Sequence, residues 1–132
     1  MENPNQIIEE AIQAFISNRT EEQLAQTLSV MRYCLDNELI VSVTQEEGGL
    51  TLNPIKTSDG RTWFVVFTTL EEQAKGKSKV QSMFSASLAK VFAFTLDNPD
   101  VAGVIINPHS NAMFLEKPII KVVVGKKNYG LG

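Results

Sequence analysis

Four sets of residues in this chain carry side chains able to do chemistry, and two of them gather several such groups. The first is Lys75-Gly76-Lys77-Ser78-Lys79, lying just ahead of a helix expected to begin at Ser78. Backbone N–H groups and the dipole at a helix start favour an anion, so Lys75, Lys77, Ser78 and Lys79 could hold a phosphate or a carboxylate. The segment is not a P-loop, because the Gly-x-x-x-x-Gly-Lys-Ser/Thr spacing and the preceding strand are missing. Lysines in a loop also serve solubility alone. The second set is Thr68, Thr69, Asn107 and Ser110, placed just past the ends of two apolar strands. If those strands are parallel neighbours, their ends form the place where open α/β sheets collect ligands, and these polar groups converge on a small pocket. Turn chemistry is the simpler account of Asn107-Pro108, since Asn bonds nearby backbone and Pro ends the ladder.

The other two sets are poorer. His109 is the only histidine and Cys34 the only cysteine. His109 follows Asn107-Pro108 in an expected turn, with no orienting partner or nucleophile other than the adjacent Ser110. Cys34 sits late in an expected helix beside Tyr33 and Leu35, where a free cysteine acts as a small hydrophobe. Glu21-Glu22, Glu46-Glu47 and Glu71-Glu72 are adjacent pairs whose side chains diverge; first-turn charge and capping explain Glu21, Glu22 and Glu72. One cysteine and one histidine cannot build a structural zinc site. No catalytic residue, cofactor or metal is expected.

Composition sets the frame for these groups. At 132 residues, with 43% apolar and 20% charged residues, the chain is expected to form one folded domain without disulfide staples. A net charge of −3 argues against a nucleic-acid or anionic-membrane partner. No apolar run reaches the ~20 residues of a membrane span, and residues 1–8 lack signal-peptide character. The lone cysteine suits a reducing cytoplasm.

The elements that must position the polar groups follow from periodicity and caps. Asn3-Pro4-Asn5-Gln6 has helix-start order, and Ile8, Ile12, Phe15 and Ile16 line one face, which predicts a helix over 4–16. Thr20 and Gln23 form a capping box for a second helix with Leu24, Leu28, Met31 and Leu35 on its stripe. From Leu39 the period becomes two, giving a strand that stops at 45–49. Leu50 to Ile55 is a further strand, with Pro54 at an edge. Asp59-Gly60 turns the chain into Arg61–Phe67, a continuous apolar run containing Trp63, Phe64 and Phe67, as expected of a strand covered on both faces. Thr69 and Glu72 cap a short helix; Ser78 and Gln81 cap a longer one with Val80, Phe84, Leu88 and Val91 buried. Val101 to Ile106 is a second buried strand, and Ala112 to Leu115 a short returning one. Ile119 to Val124 is β-branched, yet Pro118 and Gly125 stand in helix-terminus order and favour a short helix. The expected fold is α+β (mixed α/β): a small mixed sheet covered by helices, in the order ααβββααββα. It comprises a helix pair over 4–36, a sheet-and-helix core over 38–125 and a tail over 126–132.

The Asp59-Gly60 turn, the strand to Phe67, the capped helix at Thr69 and the Val104-Ile105-Ile106-Asn107-Pro108 strand end occur in an order that resembles the N-terminal domain of the SseB family, named for enhanced serine sensitivity in bacteria. The resemblance covers about residues 17–125. It implies a bacterial cytoplasmic setting and no established reaction, cofactor or catalytic residue; longer relatives carry a second, C-terminal domain.

Two functions are therefore expected to compete. One is a non-catalytic binding or regulatory module acting through protein–protein contact or self-association, at a sheet edge near Leu50 to Ile55 or an apolar patch on the helix pair. The other is a small-molecule sensor or enzyme taking an amino acid or phosphate-like anion at Lys75–Lys79 or at the strand ends.

Overall fold

The chain runs α1 (Gln6–Ser17), α2 (Glu21–Tyr33), β1 (Glu38–Glu46), β2 (Gly49–Leu52), β3 (Pro54–Lys56), β4 (Thr62–Val66), α3 (Leu70–Ala74), β5 (Ser82–Ser87), α4 (Leu88–Asp97), β6 (Gly103–Ile106), β7 (Met113–Glu116) and α5 (Lys117–Val124). These elements come from a computed structural model that describes residues 5–46, 49–52, 54–75 and 82–125. The class is α+β as expected, but the strands form two sheets, β2-β1-β5 and β3-β4-β6-β7. They meet at one antiparallel bridge, where Ile40 and Phe67 exchange backbone hydrogen bonds of 2.8 and 2.9 Å.

Local chemistry explains most boundaries. Thr20 accepts from the Gln23 N–H at 3.1 Å and opens α2; Thr69 does the same for α3 with the Glu72 N–H, also at 3.1 Å. In α5 helix-terminus order prevails over β-branching. Pro118 sits in the first turn, Gly125 turns the chain at φ 70°, and the helix buries Ile120, Val123 and Val124. Arg32 on α2 donates to the carbonyls of Val123 (2.8 Å) and Val122 (2.5 Å), satisfying two terminal acceptors of α5 and pinning the two helices together.

Two sequence-based expectations fail here. The helix expected to start at Ser78 begins instead at Leu88, with Ser87 as its cap, accepting from the Lys90 N–H at 3.2 Å. Residues Ser82–Ser87 form β5, antiparallel to β1 with Phe84 opposite Val41. The edge of β1 supplies a ladder to this segment, and tertiary pairing overrides its helical spacing. Phe84, expected on a buried stripe, is 49% exposed, whereas Leu88 and Val91 are buried as expected. The expected order ααβββααββα thus gains a strand before α4. The segment Leu50 to Ile55 also divides: β2 pairs with β1, while β3 pairs with β4 and puts Pro54 on an edge.

β4 and β6 are parallel and central, in register from Trp63↔Gly103 to Val66↔Ile106. Parallel neighbours need a crossover, and α3, β5 and α4 supply it. Phe64, Val66, Val104 and Ile106 face the main core, built with Ile8 and Ile12 of α1, Leu28 and Met31 of α2, Phe92 of α4 and Ile120 of α5. Trp63, Val65, Phe67 and Ile105 face the opposite side and pack with Ile40, Ala102 and Ala112. Both faces are covered, which is why these strands read as unbroken apolar runs.

Gly103 is required where β6 passes β7. A Cβ at that position would lie 2.0 Å from the Leu115 carbonyl oxygen. Gly103→Ala should therefore cost about 3 kcal/mol of unfolding free energy in denaturant titration; a loss below about 0.5 kcal/mol would show that the strands approach less closely. At the hairpin, Asp59 accepts from the Thr57 hydroxyl at 2.5 Å and from the Arg61 backbone and side chain at 3.1 and 2.8 Å. These bonds, that from Thr57 first, lower its carboxyl to about 2. A depressed native value gives stability that is full above the unfolded-state value of about 4 and is lost as pH falls toward about 2. Asp59→Asn should lose less stability than the parent across that window; identical pH profiles would contradict the hairpin geometry.

Candidate functional site

Because β4 and β6 are parallel, their C-terminal ends emerge side by side. The chain leaves β4 through Phe67, Thr68 and Thr69, and leaves β6 through Asn107. The expectation that these ends adjoin holds. Asn107 adopts φ 54°, a left-handed conformation that Asn tolerates better than most residues. Its own N–H bonds to the Val66 carbonyl at 2.9 Å, and its carbonyl accepts from Ser110 at 3.1 Å, closing a turn. Its side chain reaches across the strand ends. Oδ1 accepts from the Thr68 N–H at 3.0 Å, and Nδ2 donates to Thr68 Oγ1 at 2.9 Å.

Thr68 is the hub of this network. Its hydroxyl proton goes to Glu9 Oε2 on α1, and its carbonyl accepts from Asn5 Nδ2 at 3.1 Å. Asn5 also donates to the Glu38 carbonyl at 2.8 Å and accepts from Asn37 Nδ2 at 3.3 Å. Asn5, Thr68 and Asn107 are all buried. The network ties the start of α1 to β1 and to the ends of both central strands. It also explains an amide at position 107. The single Thr68 proton is already given to Glu9, so a carboxylate in place of the Asn107 amide would find no donor in that hydroxyl.

Beside the network lies a cleft of about 160 Å³, lined by Glu9, Ile12, Glu72, Asn107, Ser110 and Asn111. Lys75 spans its rim, donating to Glu72 Oε2 at 2.9 Å and to Ser110 Oγ at 2.5 Å. Asn111 Nδ2 donates to Gln13 Oε1. A larger groove of about 460 Å³ separates α2 from α5, between Leu24 and Leu28 on one side and Val122 and Val123 on the other. Glu21, a first-turn charge of α2, lines it, but none of the candidate ligand-binding residues does.

The sequence-selected residues divide as follows. Thr68 and Asn107 come together, Ser110 lines the cleft, and Lys75 reaches Ser110. Thr69 lies next to them, but its hydroxyl caps α3. Lys77, Ser78 and Lys79 lie outside the described residues. The described chain after them forms β5 over Ser82–Ser87 and α4 from Leu88. His109 is exposed and stacks on Phe67 with ring centres 5.9 Å apart. Cys34 is buried, and burial raises its thiol above the ordinary value, the reverse of what a nucleophile requires. Among the described residues no group of three or more His, Cys, Asp and Glu could hold a metal ion. Sequence reading missed Asn5, Glu9 and Asn111, which lie far from the strand ends along the chain or look like ordinary surface polar residues. Asn107→Ala should lower the unfolding free energy by about 3 kcal/mol, by leaving the Thr68 N–H unpaired and straining a left-handed position, and Asn107→Gly should recover about 1 kcal/mol of that. Equal losses for the two variants in denaturant titration would remove the backbone part of this account.

The family model for the SseB protein N-terminal domain matches residues 8–121. No curated protein and no solved structure matches the chain. No helix among the described residues is long and apolar enough to cross a membrane. The matched span takes in both central strands, the Thr68–Asn107 network and most of α5, and on that match the chain belongs to the SseB family through its N-terminal domain.

Proposed function

We propose that this domain is a non-catalytic binding module that works through protein–protein contact. The observation that carries the reading is β5. It is the outer strand of its sheet among the described residues, and its own Met83 and Phe84 are 44% and 49% exposed. Edge strands are usually guarded by charge, proline or a bulge. The sequence Ser82-Met83-Phe84-Ser85-Ala86-Ser87 has no charged residue and no proline. Its register with β1 is continuous from Glu38↔Ser87 to Val43↔Ser82, without a bulge. Such an edge suits an extended partner segment, with main-chain bonds giving affinity and Met83 and Phe84 giving specificity.

The strand ends support a non-catalytic role, because the polar groups there are bonded to one another. Thr68, Asn107 and Glu9 form a closed structural network, and Thr69 caps a helix. A general base with a nucleophile in reach is a different arrangement. The expected contact surface shifts from the Leu50 to Ile55 edge toward β5.

Photo-crosslinking from position 84, followed by mass spectrometry, tests the reading. A single defined adduct is expected, with a second copy of the chain counting as one such partner. Phe84→Glu should weaken that complex about thirtyfold and shift stability by no more than about 0.5 kcal/mol, as an exposed substitution should. No adduct at position 84, or full binding by Phe84→Glu, would overturn the proposal.

A further inference from the structure

We propose that the partner received by β5 is a second copy of this chain, the two β5 strands running antiparallel across a twofold axis at Phe84. The inference rests on the reading of β5 as a contact edge, and names its occupant and register. The direction of the backbone groups on β5 follows from the bridge between the two sheets. Ile40 and Phe67 exchange N–H···O bonds of 2.8 and 2.9 Å, so the N–H and C=O of Ile40 point away from β5. Ile40 stands opposite Ser85, and antiparallel ladders alternate between bonded and non-bonded pairs. The pairs Leu39↔Ala86, Val41↔Phe84 and Val43↔Ser82 therefore carry the ladder. Met83 and Ser85 aim their N–H and C=O groups outward, where β5 has no strand neighbour among the described residues.

This pattern is self-complementary. Turned about Phe84, Met83 of one copy lies opposite Ser85 of the other, and the two residues exchange both bonds. The symmetric pair does the same, so the outward groups of Met83 and Ser85 on both copies are satisfied together. Phe84 falls on the axis, in a non-bonded pair whose Cα atoms approach to about 4.5 Å and whose side chains lie closest. Its ring, 49% exposed in the single chain, then packs on its own counterpart, as aromatic cross-strand pairs do. Charge selects the same edge. Each chain carries −3, which keeps copies apart over most of the surface, whereas Ser82–Ser87 holds no charge to oppose the contact. The product is one continuous sheet to which each copy gives β2, β1 and β5. A contact of this length is small, so the dimer is weak and reversible, with Kd on the order of 100 μM.

Sedimentation velocity of the full chain, with cysteine scanning of the edge, tests the proposal. Between about 10 μM and about 1 mM the parent should pass from mostly monomer to mostly dimer. Phe84→Glu sets two like charges on the axis, and Ser85→Pro deletes an outward N–H that β1 does not use. Each should raise Kd at least about tenfold. Cys34 is buried, so under mild oxidation Phe84→Cys should bridge to its own copy several-fold faster than Met83→Cys or Ser85→Cys, whose counterparts lie diagonally. A parent that stays monomeric to about 1 mM would overturn the pairing. So would a dimer that both Phe84→Glu and Ser85→Pro leave intact, or fastest bridging by Met83→Cys or Ser85→Cys. If a monomeric parent still gives a defined adduct with another protein from position 84, the contact edge stands and the second copy is rejected; no adduct of any kind rejects both.

Discussion

The parallel pairing of Thr62–Val66 with Gly103–Ile106 is the constraint on which the rest of the structure depends. Parallel strands cannot be joined by a tight turn, so the chain between them must leave the sheet and return. That requirement places α3, β5 and α4 in one crossover and buries both strands on both faces. It also brings two chain exits to the same end of the sheet. Exits of this kind leave backbone groups without ladder partners, and in a buried setting those groups must find others. The Asn107 side chain answers for Thr68, and Asn5 extends the answer to β1.

The polar groups at the strand ends are organised around the same constraint. In many open sheets the strand ends hold ligand groups free to react or bind. Here the nearest such groups, Thr68 and Asn107, hold the fold together, and the cleft beside them is lined by residues that the network positions. The surface proposed for a macromolecular partner lies elsewhere, on β5, which the crossover adds to the outside of a different sheet. A structural end and an exposed edge strand are thus consequences of one topology.

Much of this was legible in the residues. Thr20 and Thr69 were readable as caps because a hydroxyl three residues before a free N–H is a local device. The double-faced burial of Trp63 to Phe67 was readable because continuous apolar character has few other uses. β5 was not legible: Val80, Phe84, Leu88 and Val91 fall at helical spacing, and only the neighbouring edge of β1 decides against it. The need for Gly103 has no local signal, since the approach of Leu115 is a matter of sheet packing. Asn5 resembled a helix-start residue, yet its side chain makes no cap and spans to Thr68, sixty-three positions away. Contacts between distant segments leave no spacing signal in the chain.

Native-state hydrogen exchange is the most direct test of the central role given to β4 and β6. The amides of Val65, Val66, Ile105 and Ile106 should exchange only through global unfolding, with protection equal to the full stability of the domain. The Thr68 amide, held by Asn107, should share that protection. Exchange of these amides through a lower-energy local opening, while the helices α1 and α4 stay protected, would contradict the account.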